Sequence, residues 1–290
     1  MAPTEAVDNA ASPVAAPATA VADTERASIW DRIPTPVSIT LFSALLVFLW
    51  QVVVWLGLTS ELVLPSPVAV GGALVDVTVN VFTGGHVLEN LWLTAQASVI
   101  GFLLAAVAGI GFGVLIAETA FGRKVALPFL VGINAAPKVA FAPLFVAWFG
   151  FGVSSKAALG GFIAFFPLLI DTAAGLAAVD RQQKKLFRSL RASFWQTFFK
   201  LKVPASAPFI FAGLKTASVL AVVGALVGEF LGGGRGMGEL IRVVANQLNV
   251  PRMFAYVIVL SIAGYLFYAL IAWIERKIVH WQEPHGLGHV

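Results

Sequence analysis

Six stretches of the chain, residues 36–58, 91–117, 125–149, 157–179, 206–228 and 253–274, are apolar almost without interruption, and short polar segments separate them. Three of the six carry no charged residue, and the others carry one each, Lys138, Asp171 and Lys215. A helix crosses the hydrocarbon core of a bilayer in about 20 residues. Each stretch is long enough, so the pattern predicts six membrane-spanning helices and an all-α, polytopic membrane protein. Between the first two stretches, LPSPVAVGGALVDVTVN predicts a short helix at the membrane surface that starts near Pro67. Residues 1–27 are rich in Ala and Pro, with four carboxylates and one cation. Such a segment has too little apolar bulk to fold, and a disordered tail is expected. It also lacks the basic region followed directly by an apolar run that marks a secretory signal, so the first stretch reads as an uncleaved anchor.

One segment fits neither class. Residues 184–204, KKLFRSLRASFWQTFFKLKVP, are basic and aromatic. Leu186, Leu190, Phe194 and Phe198 recur every four residues, Phe187, Trp195 and Phe199 lie beside them, and Lys184, Lys185, Arg188 and Gln196 take other angles. The spacing predicts one or two short amphipathic helices along the membrane surface, ending before Pro204, with Ser193 as an N-cap if the chain breaks near Arg191 and Ala192. On periodicity alone, a charge cluster that only sets topology, its apolar face in the headgroups, is the favoured account.

Composition agrees with the pattern: 59% hydrophobic and 12% charged residues, at a mean hydropathy of +0.88, lie far from the soluble balance. The net charge of +4 raises nucleic acid as a partner, and the placement of the cations removes it. With the N-terminus inside, the inner segments hold Arg26, Arg32, Arg123, Lys124, the seven cations from Arg181 to Lys202, Arg276 and Lys277. The outer segments hold Lys156, Arg235, Arg242 and Arg252. That bias puts both termini and the basic segment in the cytoplasm.

Little catalytic chemistry is legible. The absence of cysteine excludes disulfides, thiol nucleophiles and cysteine-ligated metals. His86, His280, His285 and His289 give no ligand set, and the His285/His289 pair falls in a Gly- and Pro-containing tail. Ser154 and Ser155 stand beside Lys156 in an expected outer loop, with no histidine or carboxylate near them in sequence. GGGRGMG, residues 232–238, has the spacing of a phosphate-binding loop but lacks the Gly-Lys-Ser/Thr and the strand before it, so a structural turn is expected. Gly101, Ala105, Gly109, Gly111 and Gly113 predict a close-packing face on the second span. Lys138 lies at membrane depth between Pro137 and Pro143, where interrupted backbone can line a wet path. It is a pathway candidate for an anionic or polar solute, with Asn134 and Glu229 as weaker ones; pairing with Asp171 or Glu229, or snorkelling, is the alternative. Asp171 itself is expected near the inner interface.

The segment SLRASFWQTFFKLKVPASAPFIFAGLKTA resembles the EAA signature of binding-protein-dependent ABC importer permeases. VLPSPVAV, PKVAFAPLFVAWFGFGVSSK and VGEFLGGGRGMGELI, in that order, resemble the nitrate, sulfonate, taurine and bicarbonate branch of the same family, and the likeness covers residues 61–280. It implies a MetI-like, type I permease core over residues 88–280, preceded by a tail (1–35), an extra helix (36–58) and a periplasmic segment (59–87), and followed by a tail (281–290). It further implies a coupling loop, residues 180–204, that docks on a cytoplasmic ATPase through Lys185, Arg188, Ser189, Leu190, Arg191, Ala192, Ser193 and Trp195. The signature's E-A-A falls on Lys185, Leu186 and Phe187, and its turn glycine on Arg191, which implies an altered turn or a more continuous helix.

By the same resemblance the protein is a permease subunit and not an enzyme. It would hold no cofactor, with ATP bound by two partner subunits, and would form a homodimer in the plasma (inner) membrane of a prokaryote. An extracytoplasmic substrate-binding protein would dock on residues 59–90 and 232–251. The solute would be nitrate, a sulfonate, taurine, bicarbonate or a pyrimidine-type vitamin precursor. An ion-driven secondary transporter and a membrane scaffold subunit are the competing classes.

Overall fold

A computed structural model describes residues 34–281, so all but the innermost residues of the two predicted tails, and the His285/His289 pair, lie outside the described residues. The fold is helical, with no strand among the described residues: α1 (Thr35–Trp55), α2 (Pro67–Phe82), α3 (His86–Glu118), α4 (Leu127–Asn134), α5 (Ala142–Phe149), α6 (Val153–Ala177), α7 (Arg181–Ser189), α8 (Phe194–Thr197), α9 (Val203–Gly232), α10 (Met237–Asn246) and α11 (Val250–Ile278). The chain divides into two units at Ala44, within α1; the first ends there and the second begins at Leu45.

Five helices, α1, α3, α6, α9 and α11, are long and apolar enough to cross a membrane. The sixth predicted span is broken: its two halves, Gly122–Asn134 and Lys138–Phe149, meet at 83°. Packing shows how the break is used. Gly101 on α3 lies against Ala157 and Gly161 on α6, Gly109 against Phe165 and Leu168, and Gly113 against Leu169 and Thr172, so α3 and α6 run parallel. Parallel neighbours need a return crossing between them. The bent pair supplies it, which makes six crossings. Gly111, predicted on the same packing face, meets nothing and points away from it.

α6 is the central helix, with α3 on one side and α9 on the other. A Cβ at Gly224 of α9 would lie 2.5 Å from the Gly160 Cα of α6, and at Gly228 3.1 Å from the Lys156 Cα, so α9 runs antiparallel to α6. Small residues let backbones approach closely where lipid offers no hydrophobic drive to association. α11 runs antiparallel to α9, with Ile271 beside Ala217 and Ala221, and Lys215 paired with Glu275 at 2.6 Å. Trp50 near the end of α1 donates to the Pro65 carbonyl at 3.0 Å and lies 5.9 Å from the Phe254 ring at the start of α11.

α2 begins where Pro67 predicted, with Ser66 accepting from the Ala69 amide. The helix expected to stop before Pro204 does not stop: α8, a π-helical turn (Phe198–Lys202) and α9 form one helix, Phe194–Gly232. Proline has no N–H to give to the carbonyl four residues back. A π turn widens the ladder at that point, so the helix absorbs Pro204 without ending. A second π turn (Gly122–Ala126) precedes Pro128 in the same way.

Candidate functional site

Two helices and a tight turn build the segment between α6 and α9. Asp180 caps α7 by accepting from the Gln182 amide at 3.1 Å. At its end the Ala192 amide donates to the Phe187 carbonyl and the Arg191 amide to the Arg188 carbonyl, each at 3.0 Å. This pairing is a Schellman motif, which needs a left-handed residue at its corner. Arg191 takes that conformation, at φ 53°, in the signature glycine's place. The helix therefore breaks as it would at glycine, and the more continuous helix implied by Arg191 does not form. Ser193 then starts α8 with a capping box: its hydroxyl accepts from the Gln196 amide at 3.2 Å, and the Gln196 side chain accepts from the Ser193 amide at 2.8 Å.

The break also splits the predicted apolar face. Of the four residues at spacing four, only Phe198 is buried, against Ile116, Ala117 and Leu176. Leu186, Leu190 and Phe194 are exposed, together with Trp195 and Phe199, whose rings stack at 5.7 Å. Lys185, Arg188, Ser189, Arg191 and Ser193 are exposed among them, while Ala192 is half-buried in the turn. The segment is tied to α3 by Lys202, which pairs with Glu118 at 2.7 Å and lies over the Phe194 ring at 5.9 Å. Partial burial, and then the neighbouring Lys202 ammonium, lower the Lys184 ammonium below the ordinary lysine range, with Glu118 opposing.

At the bend of the broken span, Lys138 donates to the Asn134 carbonyl at 2.6 Å and lies 5.3 Å from the Phe166 ring centre. It pairs with neither Asp171 nor Glu229. The ammonium instead sits at the C-terminal end of α4, where the helix dipole and free carbonyls favour a cation. The Asn134 side-chain oxygen is buried with no partner among the described residues. Asp171 is half-buried, 3.2 Å from where a Cβ on Gly213 would stand.

Glu229 lies elsewhere, at the far end of α9, and has no exposed surface. Its side chain lines no open path in this conformation. It accepts from the Thr94 hydroxyl on α3 at 2.8 Å and from the Gly238 amide at 2.8 Å. Beside it, Lys156, expected in an outer loop, lies in the first turn of α6, 3% exposed, and donates to the Arg235 carbonyl. Sequence reading missed Asn90, Thr94 and Lys156. Asn90, Thr94 and Ser98, polar at every fourth position at the head of an apolar run, were the available signal.

The family described as the binding-protein-dependent transport system inner membrane component matches residues 109–280, from the middle of α3 past the end of α11. The formylaminopyrimidine transport permease ThiX of Halalkalibacterium halodurans is 33% identical over 244 residues, covering 84% of this chain and 95% of the relative. The riboflavin transport system permease RibX of Chloroflexus aurantiacus is 31% identical over 253 residues, 87% of this chain and 91% of the relative. The nitrate import permease NrtB of Synechocystis is 30% identical over 241 residues, 81% and 86%. Six crossings, α3, α6 and α9 close-packed among them, matched by permeases along most of the chain's length, place the chain in the type I ABC importer permeases of the nitrate, sulfonate and taurine branch, as a transport subunit rather than an enzyme.

Proposed function

We propose that the protein forms one half of a solute pathway whose inward import is driven by ATP hydrolysed in a separate cytoplasmic subunit. The observation that carries this reading is the α7–α8 segment, which presents aromatic and cationic side chains outward while its base is fixed to α3 and α9. Exposed Trp, Phe and Arg around a rigid turn are the material of a docking surface. Lys185, Arg188, Ser189, Leu190, Arg191, Ala192, Ser193 and Trp195 form that surface. The even number of crossings supports having both termini on the side of this segment, and the cation bias supports that side as cytoplasmic.

A second copy completes the pathway, since the broken span leaves Val139, Leu144, Trp148 and Phe149 exposed among the described residues, an apolar face for it to cover. Lys138 and Asn134, at the bend, stand on the pathway; the ammonium suits a small anion, and the unpartnered amide oxygen suits the donor group of a polar organic solute. Nitrate, sulfonates, taurine, bicarbonate and pyrimidine-type precursors all have that character. A binding protein on the opposite side, over α2 and α10, delivers it.

Uptake measured in proteoliposomes holding permease, ATPase and binding protein tests the reading. A catalytically dead ATPase abolishes uptake, and an ionophore leaves it intact; the reverse outcome supports an ion-driven transporter. Lys138→Ala lowers uptake about tenfold at equal protein. Wild-type uptake by that variant removes Lys138 from the pathway.

A further inference from the structure

The loop between α9 and α10 has the glycine spacing of a phosphate cradle, and the cradle is already full. Three successive amides at the start of α10 donate to side chains from other helices: Gly236 to Asn90 Oδ1 at 2.7 Å, Met237 to Thr94 Oγ1 at 2.9 Å, and Gly238 to Glu229 Oε2 at 2.8 Å. The first amides of a helix have no partner within it and carry its positive pole. Here the anion they hold is the protein's own. Gly236 sits at φ 145°, and a Cβ on it would fall 2.1 Å from Glu229 Oε1. The glycine is there to admit the carboxylate, and the carboxylate leaves no room for an external phosphate. Lys156 on α6 secures the same loop through the Arg235 carbonyl, and Arg235 pairs with Glu89 at its rim.

We propose that Glu229 is a positioning residue for transport, the fastening that makes α10 move with α9. The far end of the same helix is α8, which carries Trp195 of the docking surface and is joined to the rest of it by the Arg191 turn, because Phe194–Gly232 is continuous. Contact by a binding protein on α10 is then delivered along α9 to α8, at the edge of the docking surface. Thr94 and Asn90 bring α3 into the same fastening, so three crossings and α10 are tied at one point. The inference rests on the coupling reading given above.

The test uses the complete transporter in lipid nanodiscs and reads two quantities. In Glu229→Ala, amide exchange over residues 233–240 accelerates about tenfold while residues 206–228 keep their protection. Hydrolysis stimulated by the binding protein falls at least about fivefold, and basal hydrolysis stays within about twofold. Glu229→Gln, which retains an acceptor for the Gly238 amide, recovers most of both. Thr94→Val removes one hydroxyl only, and serves if Glu229→Ala does not reach the membrane. Unchanged exchange in these variants overturns the fastening. Faster exchange with intact stimulation overturns its role in transport. Trp195→Ala separates the two proposals: if it leaves hydrolysis and stimulation unaltered, the coupling reading fails, whereas the exchange measurement never involves the docking surface.

Discussion

Arg191 holds a backbone conformation that costs an L-residue about 1 kcal/mol or more and costs glycine almost nothing. The Schellman bonds on one side and the Ser193 capping box on the other fix the turn from both ends, so the side chain yields to the backbone. Arg191→Gly is therefore expected to stabilise the turn by up to about 1 kcal/mol. Slower amide exchange across residues 187–196 would register it, and faster exchange would show that the guanidinium contributes more than the strain removes. At this scale the sequence was partly legible. Ser193 reads as an N-cap on condition of a break near Arg191, and its capping box with Gln196 meets that condition; that arginine would adopt the left-handed corner depends on the bonds around it and could not be read from residue type.

The elements were legible where they are long and apolar. All five continuous spans fall where the hydrophobic runs lie, because a bilayer imposes a minimum apolar length on any helix that crosses it. The interruption at Pro137 was legible, though not the 83° bend that splits the span there; what escaped was that Pro204 and Pro128 are absorbed by π turns. Proline signals that a hydrogen bond is lost, not how the helix accommodates the loss. The Glu118–Lys202 pair escaped for another reason. Its members are 84 residues apart, and only the antiparallel course of α3 and α9 brings them together. Both side chains are 19% exposed, enough burial to resist screening. Reversing either charge alone, Glu118→Lys or Lys202→Glu, is expected to weaken coupling of hydrolysis to uptake. The double reversal restores it, with an interaction of about 1 kcal/mol in the cycle. Additive losses would show that the pair does not join the docking segment to α3.

At the scale of the molecule, the sequence supplied the number of crossings but not their arrangement. The parallel course of α3 and α6 follows from Gly101, Gly109 and Gly113 meeting successive turns of α6, a register that no single-chain periodicity encodes. Glu229 shows the same limit. A carboxylate beside a glycine-rich loop in an apolar chain reads as a pathway residue, and only the fold reveals that the loop closes over it.

The unbroken helix from Phe194 to Gly232 has 39 residues, about 58 Å at 1.5 Å per residue. Its apolar part, α9, takes about 45 Å of this, the full depth of a bilayer with headgroups. The remaining nine residues, Phe194–Lys202, add about 13 Å at the docking end. A strut of fixed length fastened at one end makes membrane thickness a mechanical variable: thinner bilayers push the docking end outward, thicker ones draw it in or force a tilt. Reconstitution across a series of acyl-chain lengths is expected to give solute moved per ATP a maximum at one thickness. A flat response would mean that the strut slides freely against its neighbours.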